Sequence, residues 1–198
     1  VYKRQEQLEG KVIMAEEKKI GAIKEELQAA EDSMLPDFIA RYEKDERSGV
    51  KSLVEKAGKR IQKLEAEYAR IENLKKYEKE YADAGYICGI DEVGRGPLAG
   101  PVVAGAVILP KDCDILYIND SKKLSASMRE KLYDEIMEKA VATGIGMAGP
   151  GRIDEINILQ ATYEAMRQAI TNLKVKPDIL LNDAVTIPGV DIRQVPII

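Results

Sequence analysis

Along the first part of the chain, apolar residues recur at helical spacing. Val50, Leu53, Val54, Ala57, Ile61, Leu64, Tyr68 and Ile71 follow one another mostly at steps of three and four. Such steps draw one stripe along a helix and leave Lys and Glu on its other side. An earlier stripe runs Ile13, Ile20, Ile23 and Leu27, and Asp32-Ser33-Met34-Leu35-Pro36 separates the two. This part predicts two or three amphipathic helices. From Tyr86 the pattern changes. Tyr86-Ile87-Cys88-Gly89-Ile90 is a short apolar run ending at Asp91, and the β-branched stretch between Pro101 and Pro110 predicts a second strand. A helix follows, with Ser127 and Glu130 as a capping box and Leu132, Ile136 and Ala140 along one face. Gly144-Ile145-Gly146-Met147-Ala148 predicts a third strand. Asp154 is the expected cap of a further helix that carries Ile156, Leu159, Tyr163, Met166 and Ile170. A last apolar strand, Asp178-Ile179-Leu180-Leu181-Asn182, ends at Asp183. The order β-β-α-β-α-β predicts an α/β layered fold with a mixed sheet.

Charge divides the chain near Gly85. Residues 1–85 hold 18 Lys and Arg against 19 Asp and Glu, whereas residues 86–198 hold 12 against 15. The expected organisation is therefore a helical extension over 6–85 and an α/β domain over 86–198. Residues 1–5 read like one frame of a common sequencing-library transposon adapter and are expected to be read-through. The net charge of -4 argues against a wholly basic nucleic-acid coat and leaves room for a local basic patch. The apolar runs are too short to cross a membrane, and a cytoplasmic protein without a membrane partner is expected.

Two counts narrow the chemistry. The chain has no His, which excludes a His general base, a Ser-His-Asp triad and a His-ligated zinc. Its two cysteines, Cys88 and Cys113, are too few for a disulfide framework or an all-cysteine zinc site. Carboxylates, Lys, Ser, Thr and Tyr remain, together with a metal held by oxygen.

The densest signal is Asp91-Glu92-Val93-Gly94-Arg95-Gly96-Pro97-Leu98-Ala99-Gly100-Pro101. Asp91 and Glu92 stand where a strand runs out, and Asp183 ends another. Adjacent strand residues point to opposite faces, so for both acids to serve one site the chain must bend there. Three carboxylates without His or Cys suit a hard divalent cation. Arg95 between two glycines offers a phosphate fork on backbone that a ligand can approach closely. Lys122 and Lys123 add charge in a loop. The segment also fits a G-x-G-x-x-A dinucleotide fingerprint, but that motif needs a helix to open after the glycines, and a Val-rich strand follows instead. Acids beside cationic groups point to metal-assisted chemistry on a phosphodiester.

These residues resemble the signature of bacterial ribonuclease HII. The resemblance continues through Asn119-Asp120-Ser121-Lys122-Lys123-Leu124-Ser125, then Ile153-Asp154-Glu155-Ile156-Asn157-Ile158-Leu159-Gln160-Ala161-Thr162, then Leu180-Leu181-Asn182-Asp183-Ala184. The helical part is similar to the N-terminal extension of Firmicute-type members. The resemblance implies an RNase H-like mixed sheet flanked by helices. It implies an endonuclease that cuts RNA in RNA–DNA hybrids and cuts 5′ of single ribonucleotides in duplex DNA, leaving 3′-hydroxyl and 5′-phosphate ends. By carry-over, Asp91, Glu92 and Asp183 are catalytic and bind Mn2+ or Mg2+. Gly94, Arg95 and Gly96 sense the ribose 2′-hydroxyl and grip the neighbouring phosphate, and Lys122 and Lys123 lie near the nucleic-acid backbone. A monomer is expected. The family also has a fourth carboxylate in a Lys-Gly-Asp stretch that would follow Ile198, so the 198 residues alone are expected to be inactive or nearly so. Asn182 occupies a position that is usually apolar in the family. The competing reading is a non-catalytic nucleic-acid binder or helical adaptor with a degenerate nuclease-like domain, against which the intact Asp91, Glu92, Asp183 and Arg95 argue.

Overall fold

The helical periodicity of the first part is realised as α1 (Ile20–Ala29), α2 (Leu35–Tyr42), α3 (Ser48–Leu74) and α4 (Lys76–Glu80). The computed structural model describes residues 18–97 and 99–197; residues 1–5, Ile13 of the first stripe, Leu98 and Ile198 lie outside them. By its contacts the chain forms two compact units, Val1–Glu67 and Tyr68–Ile198, which meet within α3.

In the first unit, the stripe residues Ile23, Leu27, Val50, Leu53 and Ala57 pack with Leu35, Phe38 and Tyr42. The expected break is a 3-10 turn over Asp32–Met34, and Pro36 falls in the first turn of α2, where its missing N–H costs nothing. Glu26 gathers charge on this unit. Its carboxylate accepts from Lys18 Nζ at 2.7 Å, from Tyr42 Oη at 2.8 Å and from Arg41. The Lys18 hydrogen bond, chief among these, holds the Glu26 carboxyl below the usual range, against a partial desolvation that opposes it.

The second unit is built on a five-stranded sheet. Its strands are β1 (Ile87–Val93), β2 (Val102–Ile108), β3 (Ala142–Ala148), β4 (Ile179–Asp183) and β5 (Arg193–Ile197). The spatial order is β3-β2-β1-β4-β5, with β3, β2 and β1 antiparallel and β1, β4 and β5 parallel. Two further helices, α5 (Ala126–Lys139) and α6 (Pro150–Thr171), complete the mixed α/β fold.

One sheet face carries the core. Cys88, Ile90, Val102, Ala104, Ala106, Ile108, Ala142, Ala148 and Leu180 pack with Ala161, Ala165, Met166 and Ala169 of α6. The helix lies very close to β3: a Cβ on Gly144 would stand 2.1 Å from the Ala169 carbonyl oxygen, and one on Gly146 would stand 2.0 Å from that of Ala165. The buried side of α6 is thus a row of small residues. Of the apolar stripe expected there, Met166 is fully buried while Leu159 is 38% exposed.

Helix boundaries also differ from expectation. The first helix of this pair is capped by Ser125, whose Oγ accepts from Met128 N at 3.3 Å, and not by Ser127. The second begins at Pro150, ahead of the expected cap Asp154. It is interrupted at Asn157, with φ 67° and ψ 164°, and the Asn157 Oδ1 restarts it by accepting from Leu159 N and Gln160 N. β5 was not expected. It is an edge strand, where Pro196 removes a donor at little cost.

The other sheet face is exposed along β1, β2 and β3, while Ile179 and Leu181 of β4 are buried on it. Val93, Ile145 and Met147 are 68%, 62% and 56% exposed there, alongside the exposed positions Gly89, Asp91, Gly105 and Asp183.

Candidate active site

β1 runs through both acids and ends only at Val93. The expected bend at Asp91 and Glu92 is therefore absent, and alternation separates the two side chains. Asp91 shares the open face with Gly89 and Val93, while Glu92 shares the α6 face with Cys88 and Ile90. The partner of Asp91 comes from another strand. β1 and β4 pair in parallel from Ile87 with Ile179 to Ile90 with Asn182, and the next step sets Asp91 beside Asp183. Aligned residues of neighbouring strands point the same way, about 4.8 Å apart along the sheet. Both aspartates are exposed.

Continued by one step, the register thus aligns Asp91 with Asp183 on one face, while alternation turns Glu92 to the other. Among the described residues, no group of three acidic, His or Cys side chains stands ready to enclose a metal. Asp91 Oδ1 accepts from the Glu92 backbone N at 2.7 Å. The Glu92 side chain is only 14% exposed and accepts from Arg95 Nη1 at 3.4 Å, a long contact from a guanidinium that is 44% exposed.

The turn after β1 is shaped by Gly94. Its φ is 91°, and a Cβ there would meet the Pro101 carbonyl oxygen at 2.3 Å. Only glycine permits both the left-handed backbone and that approach. The chain can then reverse, so that Val93 pairs with Val103. Gly96 is different. A Cβ on it would meet nothing within 4 Å, and both Gly96 and Arg95 are exposed, so this side of the turn is open to a ligand. After Gly96 the chain enters β2 at Val102 without opening a helix, which removes the dinucleotide-binding reading.

Lys122 and Lys123 lie on a 3-10 turn over Ser121–Lys123, closed by Asp120 Oδ1 accepting from Lys122 N at 2.9 Å. Arg129 of α5 donates to the carbonyls of Ser121 at 3.2 Å and Leu124 at 2.7 Å and so ties down the loop. Both lysines are exposed, and among the described residues no hydrogen bond or ion pair joins them to Asp91 or Asp183. Sequence reasoning passed over Arg129 and also Gln194, which lies on the unexpected β5. Cys88 offers no nucleophile: burial pushes its thiol up to about 12.

Two exposed carboxylates on one sheet face supply the hard oxygen donors that a divalent cation takes, and the rest of its shell is commonly filled by water and substrate phosphates. The donor set fits such an ion in kind, with Glu92 the nearest further acid in the strand.

The ribonuclease HII N-terminal domain model matches residues 19–82, and the ribonuclease HII model matches residues 88–195. The chain is 63% identical over 180 residues to ribonuclease HII of Lachnoclostridium phytofermentans, covering 91% of this chain and 71% of that protein. It is 46% identical to ribonuclease HII of Clostridioides difficile, covering 92% of this chain and 72% of the relative. A crystal structure of ribonuclease H2 from Pyrococcus horikoshii is similar with 28% identity and a TM-score of 0.42, over 54% of this chain and 52% of that one. One family model spans more than half of the chain, and a relative of which it covers 71% shares most of its aligned residues; the chain belongs to the ribonuclease HII family.

Proposed function

We propose that the protein is an endoribonuclease that hydrolyses the RNA strand of RNA–DNA hybrids. It also cuts 5′ of single ribonucleotides embedded in duplex DNA, leaving 3′-hydroxyl and 5′-phosphate ends, and it works as a cytoplasmic monomer. The observation that carries this reading is the placement of Asp91 beside Asp183 at the end of the sheet, with the Gly94-Arg95-Gly96 turn following directly on β1.

In this reading Asp91 and Asp183 hold Mn2+ or Mg2+, with Glu92 as the third catalytic carboxylate. Held by these residues, a divalent ion would supply activation of a water and neutralisation of charge on the leaving oxygen. That source of base fits a chain with no His. The rest falls to the protein's own groups. The open backbone at Gly96 lets a sugar come close, and the 2′-hydroxyl is the feature that separates ribose from deoxyribose. Arg95 presents a planar fork to the adjacent phosphate, for which it must leave only the long contact to Glu92. Lys122 and Lys123 add exposed positive charge for the strand backbone.

The test uses the complete gene product with Mn2+ and a duplex carrying one ribonucleotide, with products identified by mass spectrometry. A single cut 5′ of the ribonucleotide, absent on all-DNA duplex and absent in Asp91→Asn, is expected. Metal-independent duplex binding without any cut overturns the enzyme reading and leaves the adaptor.

A further inference from the structure

Directly before Asp183, after the apolar residues Ile179, Leu180 and Leu181 of β4, stands a fully buried amide. Asn182 has no exposed surface, and its neighbours in β4 are Ile179, Leu180 and Leu181. A buried amide is costly unless hydrogen-bonded. Asn182 Nδ2 donates to the Val185 carbonyl at 3.2 Å and to Gln194 Oε1 at 2.8 Å. That same Gln194 oxygen accepts from Ile187 N at 2.7 Å, and Gln194 Nε2 donates to the Ile187 carbonyl at 3.0 Å. Two side chains, one on β4 and one on β5, thereby fasten the connection over 184–192, with Ile187 itself buried.

The fastening acts on the residue that carries the carboxylate. Alternation puts Asn182 and Asp183 on opposite faces, so the amide grips the strand end from beneath while the carboxylate stands on the open face. Beyond Asp183 the chain turns through Ala184 at φ 51°, and Ala184 N donates to the Ile197 carbonyl at 2.9 Å. The Asn182 Oδ1 has no hydrogen-bond partner among the described residues. A leucine would remove that orphaned oxygen and with it both hydrogen bonds that fasten the connection.

We propose that Asn182 and Gln194 are positioning residues that hold the end of β4 so that Asp183 stays in register with Asp91. The inference rests on the reading of Asp91 and Asp183 as a metal-binding pair, and groups behind metal ligands commonly tune affinity by ten to a hundredfold, as an order of magnitude.

The experiment measures Mn2+ binding by electron paramagnetic resonance in the complete gene product, alongside the melting temperature of the metal-free protein. Asn182→Leu keeps the shape and removes the orphaned oxygen, and Gln194→Met keeps the length and removes the hydrogen bonds. Each is expected to weaken Mn2+ binding about tenfold while the protein stays folded. The double variant is expected to be no weaker than the worse single one, because the two act as a unit. Asp183→Asn separates the two readings. If it leaves Mn2+ binding unchanged, the metal pair and the positioning role both fall. If it weakens binding but both amide variants stay within twofold of wild type, only the positioning role falls. Should Asn182→Leu not fold, Gln194→Met decides alone.

Discussion

The carbonyl oxygen of Pro101 stands 2.3 Å from where a Cβ on Gly94 would lie, in a turn whose φ at Gly94 is 91°. Gly94→Ala is therefore expected to destabilise the second unit by about 2 kcal/mol and to reduce cleavage at least tenfold. Gly96 has open space instead. Gly96→Ala is expected to leave stability nearly unchanged and to lower selectivity for a ribonucleotide over a deoxyribonucleotide. Urea unfolding and competition cleavage check both.

Asp91 and Asp183 are two like charges aligned on one sheet face. Without metal they repel, so Asp91→Asn or Asp183→Asn is expected to leave the melting temperature of the metal-free protein unchanged or slightly higher. With metal the order reverses. At a hundred times the dissociation constant, a bound ion contributes about 2.7 kcal/mol, and either variant is expected to lose that stabilisation. Thermal unfolding with and without Mn2+ reads the difference.

Arg95 touches Glu92 at 3.4 Å while 44% exposed, and an ion pair this open contributes well under 1 kcal/mol. Arg95→Lys should therefore leave the melting temperature unchanged. It also removes the planar fork, so KM for a ribonucleotide-containing duplex is expected to rise several-fold with a smaller change in kcat. Steady-state kinetics on one short duplex decide it.

α6 presses on β3 where Gly146 faces the Ala165 carbonyl at 2.0 Å from a would-be Cβ. Gly146→Ala forces the helix away from the sheet and is expected to cost about 1–3 kcal/mol. A midpoint shift in urea without a change in slope would show this. An unchanged midpoint would mean that the helix is not held so close.

Glu26 ties Lys18, Arg41 and Tyr42 together, and its carboxyl is held below the usual range chiefly by the Lys18 hydrogen bond. A carboxyl lowered on folding contributes stability that is present above its unfolded pKa and lost as pH falls through the folded value. Glu26→Gln is expected to remove that contribution at neutral pH and to flatten the acid side of the stability curve below the usual glutamate range. The effect is below about 1 kcal/mol because Lys18 and Arg41 are more than half exposed. Circular dichroism across acid pH measures it.

Period and composition were enough to read β1, β2, β3 and β4 as strands and α3 as one long amphipathic helix, because each draws its face from local spacing. The absence of His and the acids of Asp91, Glu92 and Asp183 pointed to oxygen-ligand chemistry before any contact was known. β5 was illegible because Arg193, Gln194 and Pro196 break an apolar pattern that an edge strand does not need. The kink at Asn157 was illegible because its Asx cap is made inside an apparently continuous helical stripe.

What the chain determined by itself is therefore the supply of groups: three carboxylates in or at the end of apolar strands, a glycine turn carrying Arg95, two loop lysines and no imidazole. The tertiary structure decided which of them meet. Asp91 and Glu92 are neighbours in the chain and stand on opposite faces, while Asp91 and Asp183 are far apart in the chain and stand side by side. The reason is that a strand's alternation is local, whereas the register of two parallel strands depends on the whole connection between them, here the chain from β1 through β2, α5, β3 and α6 to β4.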